Sequence, residues 1–212
     1  MSPAVTADRP RRTQADRRAR TRSALLEAAA RGMSKYGYAN VALEWVASEA
    51  GYTRGALYHQ FANKEDLALA VVGWVEETWN AEVGQVAAQQ ADPVDALLAI
   101  ARGHAIYCRR DVADVMMTLR VEFAGQQHPV GQAIAGIIGG LADDCTALIA
   151  AGRESGALPV GPPPAMLASA FLGVLEAVGS QLAGQAPYDV EMAERAVRGV
   201  LGLPPKLMSD DH

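Results

Sequence analysis

The chain has 212 residues, half of them hydrophobic, enough to bury a substantial core in one or two domains. A net charge of −5 argues against nucleic acid until its distribution is counted. Residues 1–64 carry eleven Lys/Arg and five Asp/Glu, whereas residues 65–212 carry eight and nineteen. A basic end on an acidic body is the asymmetry expected of a DNA-reading head on a separate body.

Met1 to about Ala19 is polar, contains Pro3 and Pro10, and has no apolar period. It reads as a disordered arm. Its Arg9, Arg11, Arg12, Arg17 and Arg18 suit either phosphate or minor-groove contact or a merely solubilising tail. No apolar stretch follows these arginines, so no signal peptide is expected. Thr21 to Tyr36 reads as the first helix, with Leu25, Leu26, Ala29, Met33 and Tyr36 on its buried stripe and Gly37 as its stop.

The stretch from Ala42 to Lys64 carries the densest signal. Leu43, Val46, Ala47 and Ala50 share one helical face, and Gly51 follows where a helix stops in positive φ. Thr53 is placed to cap a second, two-turn helix that buries Leu57 and Phe61. Asn63 caps the next helix, with Glu65 and Asp66 in its first turn. Two helices joined by a Gly-containing turn form a helix-turn-helix. The second helix leaves Arg54, Gly55, Ala56, Tyr58, His59 and Gln60 outside its apolar face. A cation, two small residues, an aromatic hydroxyl and two hydrogen-bonding side chains suit a DNA groove better than a core. Arg54 is the expected base reader. Thr53, Tyr58 and Lys64 complete the expected DNA-binding set, with Tyr58 and Lys64 on the phosphate backbone.

These residues carry a family resemblance. Val46-Ala47, Ala50-Gly51, Thr53-Arg54-Gly55-Ala56-Leu57-Tyr58-His59, Phe61, Asn63-Lys64-Glu65 and Leu67, with Ala28-Ala29 and Gly37 upstream, resemble the DNA-binding segment of the tetracycline-repressor (TetR) family. The resemblance covers residues 21 to 70. It implies an all-α fold of about nine helices, operator DNA as partner, an effector site in the body, and dimerisation through the last two helices. Two positions depart from the family pattern. Ala42 stands where a Thr or Ser commonly caps, leaving either Asn40 as a substitute or a looser helix end, and Gln60 stands where a histidine is common.

The remaining chain reads as helices without strand-like alternation. Lys64 to about Gln90 carries Leu67, Val71, Trp74, Val75 and Thr78 at helical spacing. Asp92-Pro93 opens a helix to about Cys108, and Asp111 is expected to cap another to about Gly125. His128-Pro129 breaks the chain before a Gly- and Ala-rich helix from Val130 to about Glu154. Met166–Ala183 and Val190–Leu201 follow a proline-rich loop. Within the longest uncharged run only Ala165–Leu175 is expected as continuous helix, too short for about 30 Å of hydrocarbon.

The apolar last two helices suggest a two-fold partner, with Met166, Ala170, Phe171, Val174, Val178, Val197 and Val200 on the shared face. Trp74, His104, Tyr107, Cys108, Met116, Met117, Arg120 and Phe123 are the candidate effector pocket, with Trp79, Glu122 and His128 nearby. His104 and Cys108 share a helical face, but no second close ligand pair exists, and no metal or cofactor is expected. Cys108 and Cys145 lack a C-x-x-C spacing and point to a reducing cytosol. No nucleophile signature or phosphate loop is present, so no enzymatic activity is expected.

The expected protein is an all-α, cytoplasmic, homodimeric transcriptional regulator, a repressor released by a small molecule, with no membrane partner. Its expected parts are an arm (1–19), a helix-turn-helix head (20–66) and an effector-binding and dimerisation body (67–212). The competing expectation is a helical small-molecule-binding protein or enzyme whose head no longer reads DNA.

Overall fold

A computed structural model describes residues 13–205. Within them every regular element is helical. Helix α1 spans Gln14–Asn40 and starts before the expected position. Thr13 and Asp16 form a capping box: the Thr13 hydroxyl accepts from the Asp16 N–H at 3.2 Å, and the Asp16 carboxylate accepts from the Thr13 N–H at 2.9 Å. The disordered reading therefore fails for residues 13–19, while Arg9, Arg11 and Arg12 lie outside the described residues. The run is broken where expected, at Gly37, whose φ of 77° is costly for any side chain.

Helices α2 (Leu43–Glu49) and α3 (Arg54–Gln60) form the helix-turn-helix. Gly51 has φ 75°, its N–H bonds to Ser48 O, and the Tyr52 N–H bonds to Ala47 O at 2.8 Å. That pair of bonds is the Schellman stop of α2. Thr53 caps α3 through the Ala56 N–H. The N-terminus of α2 has no side-chain cap, and Asn40 does not substitute, since its amide donates to Tyr36 O instead. Leu25, Met33, Val46, Leu57, Phe61 and Leu67 are almost fully buried and bind the head together.

Asn63 caps α4 (Lys64–Trp79). The helix continues through one π turn (Asn80–Gly84) into α5 (Gln85–Ala88), so head and body share one continuous rod. Asp92 and Pro93 open α6 (Pro93–Tyr107). Asp111 does not cap the next helix. The chain turns irregularly through 108–114, burying Val112, and α7 spans only Val115–Glu122. His128 caps α8 (Pro129–Glu154), its Nδ1 accepting from the Val130 N–H. Two further helices follow, α9 (Pro164–Leu182) and α10 (Tyr188–Leu201). Counting the α4–α5 rod once, the described residues hold nine helices. Helix α1 packs on α4 and α7, α8 lies between α4, α6 and α9, and α10 packs on α6 and α9.

The distribution of apolar surface corrects one expectation. Helix α10 is amphipathic, with Ala193, Val197 and Leu201 turned into the chain's own core. Two ion pairs tie it to α6 and the turn after it. Arg109 forks onto Asp189 at 2.7 and 2.9 Å and holds that carboxyl below the usual range, and Arg102 reaches Glu194 at 3.3 Å. Val197 and Phe171 are buried within one subunit and cannot belong to an outer face. The uncovered apolar helices are α8 and α9. Helix α9 follows the expected Met166–Ala183 closely; it continues past the uncharged run that ends at Leu175, so both it and α8 are long and apolar enough, by length and composition, to cross a membrane. Only 17% of the apolar window of α8 and 22% of that of α9 are buried.

Gly32 tests the packing of the head. A Cβ there would lie 2.5 Å from the Trp45 ring and 2.7 Å from Val41 Cγ2. Ala in place of Gly gains about 1 kcal/mol of helix propensity, but overpacking a core costs about 1–3 kcal/mol. Gly32→Ala should therefore lower the urea midpoint; an unchanged or raised midpoint would show that the Trp45 ring moves freely.

Candidate nucleic-acid interface and ligand cavity

Helix α3 turns Leu57 inward and leaves Thr53, Arg54, Gly55, Tyr58 and His59 exposed, with Ala56 and Gln60 half-buried. Arg54 is not free on this surface. Its guanidinium pairs with Glu44 of α2 at 2.9 Å, and it lies over the Tyr58 ring, 5.3 Å from the centroid. A ligand that takes Arg54 must displace Glu44, a partner that sequence spacing did not reveal. Both side chains are more than half exposed, so the pair is weak and exchangeable.

Lys64 departs further from the free phosphate lysine expected. Its ammonium donates to Ala39 O at 2.9 Å and sits 5.0 Å from the Tyr38 ring centroid. Burial lowers its pKa, partly opposed by the charge of Glu122. The lysine is thus a tie between the start of α4 and the α1–α2 connection.

The same connection is held from the body. Glu122, at the end of α7, accepts from the backbone N–H groups of Tyr38 at 2.5 Å and Ala39 at 2.7 Å. Gly37 permits this approach, since a Cβ there would lie 2.8 Å from Glu122 Oε2. Phe123 stacks on His128 at 4.1 Å and meets Tyr38 edge-on at 5.1 Å. His128 Nε2 lies 3.6 Å from Glu65. Phe123 therefore belongs to this joint, not to the pocket.

The other face of α7 lines a solvent-open cavity of about 680 Å³, walled by α4, the π turn, α6, α8 and α9. His104, Tyr107, Cys108, Met116, Met117 and Arg120 all line it, as does Trp79. Trp74 does not; it packs half-buried against the core. Sequence reading missed the α8 wall, where Gly136 and Gly140, four residues apart, open one helix face.

Around His104 the cavity is neutral and internally bonded. Trp79 Nε1–H donates to His104 Nδ1 at 3.2 Å, and Cys108 Sγ lies 3.4 Å from Nε2. Tyr107 and Thr78 share a hydroxyl bond of 2.8 Å. Burial pushes the His104 pKa down to about 4. Burial, and to a lesser extent Asp114, pushes the Cys108 thiol up to about 11, so it is protonated and a poor nucleophile.

The His104 shift has a stability consequence. The unfolded chain takes up a proton near 6.5 and the folded chain near 4, so the unfolded state binds more protons between those values. Stability is held above pH 6.5 and lost as pH falls toward 4, by roughly 3 kcal/mol in full. Urea midpoints measured from pH 7 to pH 4.5 should fall more steeply for the wild type than for His104→Gln; parallel curves would refute the assignment.

Comparison with known proteins bears on both sites. Residues 25–71 match the model of "Bacterial regulatory proteins, tetR family". Over 174 residues, 80% of this chain, the sequence is 31% identical to the A-factor receptor protein of Streptomyces griseus, and over 58 residues, 27% of this chain, it is 43% identical to the regulator TtgR of Pseudomonas putida. The matched stretches span 57% and 28% of those relatives' own lengths. In fold it resembles AibR, solved with isovaleryl coenzyme A and operator DNA, with TM-score 0.73 and 23% identity over 88% of this chain and 100% of that one. It also resembles FadR of Bacillus subtilis, solved with stearoyl-CoA, with TM-score 0.70 and 16% identity over 84% and 97% of the two chains. Residues 25–71 thus match the tetR family of bacterial regulatory proteins in sequence, and head and body together resemble AibR and FadR in fold.

Proposed function

We propose that this protein is a cytoplasmic, ligand-responsive repressor that binds a near-palindromic operator as a homodimer and leaves it when a small molecule enters the body. The observation that carries this reading is the double role of α7. One face of this helix lines the cavity through Met116, Met117 and Arg120, and its end holds the head through Glu122. A ligand that shifts α7 must load or release the α1–α2 connection. Effector and DNA then favour different head positions, and each lowers the affinity for the other.

Each subunit would lay α3 in the major groove of one half-site. Arg54 would exchange Glu44 for guanine O6 and N7, Tyr58 would reach a phosphate with its hydroxyl, and Lys64 would keep its tie to Ala39 while adding charge beside the backbone. AibR, whose fold is similar, was solved on operator DNA, which supports this placement.

Dimerisation would use α8 and α9 rather than α9 and α10. Gly139 on α8 and Gly173 on α9 have open space where a Cβ would lie, and Ala170 on α9 is exposed, so two such faces can approach closely. Met166, Val174, Val178 and Val200 of the expected set remain wholly or partly exposed.

Two measurements test this reading. On DNA from upstream of its own gene, shifted at two salt concentrations, Arg54→Ala should weaken specific binding by about 1–3 kcal/mol and affect random DNA less. Equal losses on both would leave Arg54 as a phosphate contact only, and no specific shift by the wild type would favour a helical binding protein that does not read DNA. In sedimentation, wild type should be a dimer at micromolar concentration and Ala170→Glu a folded monomer; a dimeric Ala170→Glu would move the interface elsewhere.

A further inference from the structure

The charge pattern around the cavity differs from what an acyl-CoA requires. The region around Trp79, His104, Tyr107 and Cys108 is neutral, and its donors are already bonded within the protein. It offers no cation to an anion and disfavours any charge placed there. Leu69, Val72, Met116, Ile137, Leu141 and Leu172 add apolar wall. The lining also contains four carboxylates: Glu76, Asp114, Asp144 and Glu176. Arg120 is the single permanent cation among the lining residues, and its Nη1 lies 2.7 Å from Glu176 Oε1, so that pair is neutral overall. Glu76, Asp114 and Asp144 are exposed and form no ion pair among the described residues. The lining therefore keeps three uncompensated negative charges where the cavity meets solvent. A cation held there is attracted by all three, and an anion is repelled by all three.

We propose that the cavity takes an amphipathic organic cation, with its apolar part against Trp79 and His104 and its positive group beside Glu76, Asp114 and Asp144. The phosphates of coenzyme A would meet three uncompensated carboxylates and one arginine already paired with Glu176, so acyl-CoA thioesters such as those held by AibR and FadR are refused. The proposal rests on the cavity being the effector site. The volume fits a ligand of drug-like size. The cavity, not the carboxylates alone, is the site; the carboxylates set the sign of what enters it.

The test is calorimetric titration of the full chain with three probes sharing a ten-carbon chain: decyltrimethylammonium, decanol and decanoate, each below its micelle concentration, and separately with isovaleryl-CoA. Decyltrimethylammonium should bind about tenfold or more tighter than decanoate, and isovaleryl-CoA should not bind. In Glu76→Gln/Asp144→Asn the gap between cation and anion should shrink several-fold while decanol binds as before. Glu154→Gln/Glu191→Gln removes the same charge from exposed positions outside the lining and should leave the gap intact. Decanoate or isovaleryl-CoA binding as tightly as the cation would overturn the proposal, as would an equal effect of the distant pair. Absence of binding by all three ten-carbon probes would overturn it together with the effector-site reading, whereas a failed DNA shift alone would touch only the operator reading.

Discussion

The carboxylate of Glu122 is the contact that ties the body to the head. It accepts two consecutive backbone N–H groups where the first helix has just been broken. Hydrogen bonds to a charged group contribute about 1.5–3 kcal/mol each, more than a neutral pair, because the full charge on the acceptor strengthens the attraction. Lys64 bonds the neighbouring carbonyl of Ala39, so donors and acceptor of one short connection are satisfied from two different helices. Glycine at position 37 is the geometric condition for both, since any side chain there would strike the carboxylate.

From that joint the architecture follows in both directions. Toward the head, α1 packs on both α2 and α4, α3 packs on α2, and the bare Gly32 lets the Trp45 ring close onto α1. Toward the body, α7 is only eight residues long. A short helix pinned at one end by charge-assisted bonds and lining a cavity along one face moves as a unit or not at all. The aromatic set of Tyr38, Phe123 and His128 braces it at the joint.

The head was legible from sequence because its signals are local. Gly51, Thr53 and Asn63 announce turn and caps within a few residues of the helices they bound. The same kind of signal at Thr13 and Asp16 was overlooked beneath the polar composition of the arm, and Asp111 imitated a cap that Asp92 truly makes. Six of the eight expected pocket residues line the cavity, because His104 and Cys108, or Met116 and Arg120, share a helical face by spacing alone. What could not be read is what lies far apart in the chain. Glu122 meets Tyr38 across 84 positions, and Val197 is buried where α10, ion-paired to Arg102 and Arg109, packs on α6 and α9. Apolar count likewise cannot tell a helix facing its own core, as α10 does, from helices whose apolar faces are left uncovered, as in α8 and α9.

The π turn at Asn80–Gly84 acts on the long rod as a frame shift acts on a message. Before it the inward positions run Leu67, Val71 and Val75; after it they are Val83 and Ala87. An unbroken α-helix would advance about 3.6 residues per turn from Val75 and bring Glu82 and Val86 inward instead. With the extra residue, Glu82 stays outside and pairs with Arg110 at 3.0 Å, while Val83 lies where Gly103 of α6 leaves room for it. Deleting one residue from this turn would leave every amino acid downstream chemically unchanged and yet assign each the wrong side of the helix.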